Sequence, residues 1–305
     1  MKQMFAATFA CLLLAATAAQ AIADVSVTVS IKPIHSLVAA VMKGVGEPGL
    51  IVKGGTSPHT YTLAPSDAEM LQKAQVIFWI GHELEAFLKK PLEALPSSAT
   101  VVSLMDNKGL RLLPVREGNG FDSHEHDSSE EHAHGANDPH VWLDPRNAAV
   151  MVDEIAATLA RVDPANAQHF TSNAGKTKQQ LAALESDITF DVAPLRGKQF
   201  ITFHDAFQYF ERRFGIPSSG AIAIHPESPP GAKTIREFRE RIQSAKVHCV
   251  FSEPQFDPKL VNLVIEGTEV KTGVLDAEAG TLEPGPALYE LLLRSIARSL
   301  KDCLE

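Results

Sequence analysis

Basic residues are the minority in this chain: 28 Lys and Arg stand against 37 Asp and Glu, a net charge of −9, and no basic cluster occurs. That balance argues against nucleic acid and against an anionic membrane surface as partners. Long apolar runs are missing too. The one sustained stretch, residues 4–18, is shorter than the roughly 20 residues a membrane span needs, so direct insertion in a bilayer is not expected. No glycine-rich phosphate loop and no Gly-x-Ser-x-Gly elbow appears. His82-Glu83 opens like a zinc-protease helix motif, but Ala86 stands where the second histidine belongs. Cysteine is scarce at three, whereas histidine reaches 12. Imidazole, not thiolate, is the plentiful metal-binding donor. At 45% hydrophobic and 21% charged, the composition is that of a folded chain, and 305 residues suit two domains of ordinary size.

The first residues read as an export signal, with Lys2 ahead of the apolar run and small residues Ala19, Ala21 and Ala23 placed for cleavage after 21 or 23. The expected product is soluble and exported. Cys11 lies inside the run, not just after it, and is not read as a lipidation site. Removal of residues 1–23 leaves Cys249 and Cys303. An even pair in an oxidising compartment is expected to form a disulfide, with two buried thiols as the alternative.

Strand and helix patterns alternate along the rest. Strands are expected over 25–31, 50–52, 75–80 and 100–104, with helices over 36–42, 65–73 and 83–90 between them. The alternation stops near 113 and resumes at 198–203. It continues with strands at 221–224, 247–252 and 269–275 and helices at 206–214, 234–244, 259–266 and 287–301. This is the signature of βαβ units and parallel sheets. The expected fold class is α/β, two (β/α) lobes at 24–162 and 196–305 joined by a long helix at 163–195. Asp144-Pro145 and Asp163-Pro164 each pair a capping acceptor with a proline suited to a first helical turn. Phe170, Ala174, Thr177, Leu181, Leu184 and Ile188 then recur at helical spacing. A connecting helix, unlike flexible strands, would limit hinging between lobes. Residues 117–138 differ in kind: acidic, with His124, His126, His132 and His134 and little apolar surface, they are expected to form a mobile insertion.

Three other histidines fall where parallel sheets present functional loops. His59 follows the 50–52 strand, His204 ends the 198–203 strand, and His140 precedes the Asp144-Pro145 helix start. Ligands bind beyond the carboxyl ends of such strands, which points to the cleft between lobes. Asp276 ends its strand in the same manner. Three imidazoles with a carboxylate or water make a four-coordinate zinc site, although a hydrogen-bonded loop role remains open for each histidine. His225 also ends a strand and reads as a loop residue. His35, His169 and His248 read as structural, and Asp205 as a helix cap.

Ser57-Pro58-His59-x-Tyr61, Asp138-Pro139-His140-x-Trp142-Leu143-Asp144-Pro145 and Phe203-His204-Asp205-Ala206-Phe207-x-Tyr209-Phe210 resemble motifs of the high-affinity zinc-binding proteins of bacterial ABC importers. Pro229-Pro230-Gly231-Ala232-Lys233 and Cys249-Val250-Phe251-x-Glu253-Pro254-Gln255-Phe256 do so as well, as does the histidine-rich acidic insertion. The resemblance implies capture of Zn²⁺ in the periplasm and delivery to a membrane ABC permease, by a transport component and not an enzyme. It carries His59, His140 and His204 over as ligands and Cys249–Cys303 as a disulfide. Some zinc members place Glu before the first histidine; here Pro58 offers no donor, leaving Asp276, water or another residue for the fourth position. Manganese-type relatives place Glu at the His204 position and use the Asp at position 276, so three histidines favour zinc. The loop histidines either gather Zn²⁺ weakly or bind it incidentally. A secreted zinc hydrolase and a manganese-binding or adhesin-type relative are the alternative readings.

Overall fold

The computed structural model describes residues 25–118, 137–224, 226, 231–244 and 247–305. The export signal, Cys11, the insertion histidines His124, His126, His132 and His134, and also His225, Pro229 and Pro230, lie outside the described residues.

β1 (Val27–Ile31) is buried along its whole length, its apolar residues Val27, Val29 and Ile31 alternating with Thr28 and Ser30, as expected of a strand covered on both faces. It runs directly into α1 (Lys32–Met42), where Pro33 occupies the first turn, a position that tolerates its missing N–H. The helix thus starts four residues before its expected beginning, and His35 lies within it, its Nε2 3.0 Å from the Pro48 carbonyl. β2 (Gly49–Val52), α2 (Pro65–Lys73), β3 (Val76–Trp79), α3 (Lys89–Glu93) and β4 (Thr100–Ser103) follow. The helix expected over 83–90 is instead a turn and a 3₁₀ segment leading into α3. The buried Glu85 carboxylate accepts from the N–H groups of Ile80 and Gly81, which favours a turn over continuous helix. The first sheet is parallel with order β2-β1-β3-β4.

α4 (Pro145–Val162) and α5 (Ala167–Val192) come next. Asp144 caps α4 by accepting from the Arg146 N–H at 2.9 Å, and Asp163 accepts from the Asn166 N–H ahead of α5. α5 has 26 residues, about 39 Å at 1.5 Å per residue. Pro164–Asn166 and Ala193–Leu195 are 3₁₀ turns at its two ends, so the expected single helix is shorter and tightened at both prolines. Its buried stripe is Phe170, Ala174, Thr177, Leu181, Leu184, Ile188 and Val192.

The second sheet is β5 (Phe200–His204), β6 (Ala221–Ala223), β7 (Cys249–Ser252) and β8 (Lys271–Val274), parallel in the order β6-β5-β7-β8. Its helices are α6 (Gln208–Phe214), α7 (Ala232–Ser244), α8 (Lys259–Ile265) and α9 (Leu288–Leu304). The molecule therefore has two parallel α/β lobes with the long helix joining them. α5 packs on α4 and α1 from the first lobe and on α9 from the second. One continuous apolar core includes Ile34, Leu37, Leu184, Leu292 and Ile296, and a second lies under α7 and α8 around Ile201, Phe238 and Val250. A disulfide joins Cys249 on β7 to Cys303 near the end of α9. Closing a loop of 54 residues stabilises by at most about 4 kcal/mol in the chain-entropy account.

Polar bonds also cross between lobes. The Trp142 indole N–H donates to the Ala277 carbonyl at 2.9 Å, and Arg213 grips the Asp144 carboxylate through two nitrogens. The Lys32 ammonium, almost fully buried, donates to the carbonyls of Ala279, Gly280 and Leu282 at 3.2, 2.9 and 2.8 Å. Burial lowers its pKa, against the pull of Asp276 and then Glu283.

Candidate metal centre

Both sheets turn their carboxyl ends toward one cleft. In each, the first strand has the second on one side and the third on the other, so the chain reverses direction across the sheet at β1 and at β5. Such reversals open a crevice at the strand ends. His204 is the last residue of β5, and Glu253 follows β7, the strand paired beside it. His59 follows β2 through Gly54 and Gly55. Gly54 has φ +114, and a Cβ there would lie 2.5 Å from Lys32 Nζ and 2.7 Å from the Gly280 carbonyl oxygen. Only glycine lets this turn pass between the buried ammonium and the opposing lobe. His140 lies just ahead of the Val141–Leu143 turn that leads into α4. Tyr209 fixes that segment, donating to the Asp138 carbonyl at 2.9 Å while accepting from the Leu113 N–H at 3.0 Å.

These placements bring His59, His140 and His204 together, one ring nitrogen from each within 4.8 Å of the others. His140 Nε2 is 3.3 Å from His59 Nε2 and 3.4 Å from His204 Nε2. A tetrahedral ion with metal–nitrogen bonds of about 2.0–2.1 Å requires nitrogen–nitrogen edges of about 3.3–3.4 Å. The other side of two rings is already occupied. Asp138 Oδ1 lies 2.7 Å from His140 Nδ1, and Glu253 Oε1 lies 2.6 Å from His204 Nδ1. Each carboxylate also accepts the backbone N–H of its histidine. A proton held at Nδ1 leaves Nε2 with a bare lone pair, so two lone pairs meet across 3.4 Å. A cation between them removes that repulsion.

Burial, and then the neighbouring His204, push the His140 pKa well below the ordinary histidine value, keeping it ready to ligate. Burial also works against a charged His204, but Glu253, with Asp205 and Asp138 behind it, outweighs this and the net shift is upward. Asp138 is raised to about 7, chiefly by burial, against the stabilising His140 N–H and Arg116. Its second oxygen has no hydrogen-bond partner among the described residues.

Asp276 does not join the group. Its carboxylate accepts from Gln255 Nε2 at 2.8 Å and from the Glu278 N–H at 3.1 Å. Asp205 is not a helix cap: Arg116 holds its carboxylate, and α6 begins later, at Gln208, without a side-chain cap. The same Arg116 reaches Glu211 at 2.7 Å. His82, His169 and His248 are exposed and apart from the cluster. Asp138 and Glu253, which back two of the rings, stand in the sequence motifs without a role assigned to them. Their signal was local only for Asp138, two residues before His140; Glu253 reaches His204 from 49 residues away.

Residues 27–303 match the family described as ZnuA, zinc-uptake complex component A, periplasmic. The high-affinity zinc uptake system protein ZnuA of Brucella abortus (strain 2308) is 45% identical over 304 residues, covering 91% of each chain. A mutant structure of the laminin-binding adhesin Lmb from Streptococcus agalactiae superposes with a TM-score of 0.76 at 25% identity, covering 92% of this chain and 100% of that one. A crystal structure of ZnuA superposes with a TM-score of 0.77 at 21% identity over 92% of this chain and 99% of the other, a likeness of fold.

Proposed function

Because the chain belongs to the ZnuA family of periplasmic zinc-uptake components, we propose that it captures Zn²⁺ at His59, His140 and His204 and delivers it to a membrane ABC permease. The observation that carries this reading is the convergence of three ring nitrogens, with His140 Nε2 at a tetrahedral edge length from both His59 Nε2 and His204 Nε2 and two of the rings backed by carboxylates. Imidazole suits Zn²⁺, whereas sites built from oxygen donors suit Mn²⁺. Asp138 and Glu253 orient the rings and place two negative charges one bond beyond the ligands, which balances the cation without binding it. Only a neutral imidazole can ligate, so capture of Zn²⁺ competes with protonation of the three histidines.

The working location is the periplasm, reached through a signal cleaved after residue 21 or 23, and the working form is a monomer. The lobes take 24–162 and 196–305, with 163–195 as the connector. His124, His126, His132 and His134 serve as weak auxiliary donors that gather Zn²⁺ near the main site. The zinc-hydrolase, manganese and adhesin alternatives are not favoured by relatives named as zinc uptake proteins, although an adhesin shares the fold.

The test is equilibrium competition between the apo protein and a zinc chelator, for the wild type and for His140→Ala. The wild type should retain one tightly bound ion, and His140→Ala should lose it. Equal retention by both refutes the site. Turnover of ester or peptide substrates by the zinc form alone would move the protein to the hydrolase reading.

A further inference from the structure

Three imidazoles leave one vertex of a tetrahedron open, and neither position considered from the sequence fills it: Pro58 has no donor, and Asp276 stands outside the cluster. The three imidazoles line a cavity of about 150 Å³ whose wall also includes Glu83. Two other acidic residues line it, and both are committed. Asp138 sits behind His140 at Nδ1, on the far side of the ring from Nε2. Asp205 is held by Arg116.

Glu83 is different. Its side chain is 28% exposed, and its carboxylate pairs with His82 Nδ1 at 3.2 Å, an imidazole 65% exposed at the rim. A surface pair of this kind contributes little, so the carboxylate is readily released to another cation. Its backbone, by contrast, is fixed. The N–H groups of Leu84 and Glu85 donate to the Gly81 carbonyl, and the buried Glu85 carboxylate accepts from the Ile80 and Gly81 N–H groups. Gly81 also makes room: a Cβ there would lie 2.9 Å from Glu83 Oε2. The turn after β3 thus holds a weakly paired carboxylate on the wall of the cavity that the three imidazoles also line.

We propose that Glu83 is the fourth donor to the zinc ion, an exchangeable carboxylate that swings from His82 into the cavity as the cargo enters and leaves it on release. This rests on the zinc-capture reading. Glu83 lies outside the 4.8 Å group in the empty site, so the bond forms by rotation of its side chain, with the three imidazoles already in place. His82 then acts as its resting partner at the rim.

The experiment compares wild type, Glu83→Gln and His140→Ala for Zn²⁺ affinity by chelator competition, Co²⁺ absorption, and thermal melting without metal. Gln keeps the size of the side chain and removes its charge. Glu83→Gln should melt with the wild type when apo, bind Zn²⁺ at least about tenfold more weakly, the low end of what even outer-shell partners cost, and shift the cobalt d–d bands. Unchanged affinity overturns the proposal, leaving water at the fourth vertex. Weaker binding with an unaltered cobalt spectrum overturns it as well, since only a distant charge would then be lost. Failure of the wild type to bind zinc, or wild-type retention by His140→Ala, would instead defeat the zinc-capture reading on which the proposal depends.

Discussion

Replacing Lys32 by Met keeps most of the aliphatic stem and deletes the ammonium. That ammonium donates to three carbonyls of the opposing lobe, Ala279, Gly280 and Leu282. A hydrogen bond to a charged group contributes about 1.5–3 kcal/mol, so three set an upper bound of roughly 5–9 kcal/mol. Two effects reduce it. Burial already penalises the charged form, as the lowered pKa shows. The bonds to Gly280 and Leu282 are only part-buried, so water replaces the ammonium there. The Ala279 carbonyl lies in the buried bond and stays unpaired. The expected loss is about 3 kcal/mol, one bond to a charged group together with one unsatisfied carbonyl. Urea unfolding of the apo protein should show a lower midpoint at unchanged slope. A loss below about 1 kcal/mol would refute the reasoning and mean that apolar packing and the other polar bonds between the lobes hold them without help from Lys32.

Asp138→Asn and Glu253→Gln should each weaken Zn²⁺ binding by about 10–100-fold while leaving the ion-to-protein ratio at one, because they free a ring without removing a ligand; chelator competition measures this. Apo stability should also depend on Glu85. Its pKa is raised to about 7 from 4.5, mainly by burial. Because the folded value lies above the unfolded one, the stabilisation is complete below pH 4.5 and is lost as pH rises through about 7. At about 1.4 kcal/mol per pH unit this amounts to about 3 kcal/mol. Unfolding free energies measured across that window should fall with pH in the wild type and flatten in Glu85→Gln.

Residues whose role is set by near neighbours were legible in the sequence. Asp144 and Asp163 cap as their prolines announced, and the α5 stripe from Phe170 to Ile188 is buried at the expected spacing. Strand ends located His59 and His204 at the cleft, and the family resemblance singled out His140. Roles set by distant partners were not legible. Asp205 looked like a cap because a helix follows it, but Arg116, 89 residues earlier, claims its carboxylate. Asp276 ends its strand as a ligand would, yet Gln255 and the Glu278 N–H occupy it. The helix expected at 83–90 had suitable composition. What overrides it is the burial of Glu85 beneath the turn, which no local pattern records.

The position of α9 dictates an order of assembly. Its Tyr289 N–H donates to Ser36 Oγ at 2.9 Å, across 253 residues, and its apolar face lies against α1 and α5. A polypeptide that emerges from its amino end therefore leaves the part of α1 that faces α9 uncovered until that 17-residue helix arrives, although α4 and α5 cover the rest. Contacts so far apart along the chain form slowly. The amino-terminal lobe thus completes its packing only when the last helix docks on it.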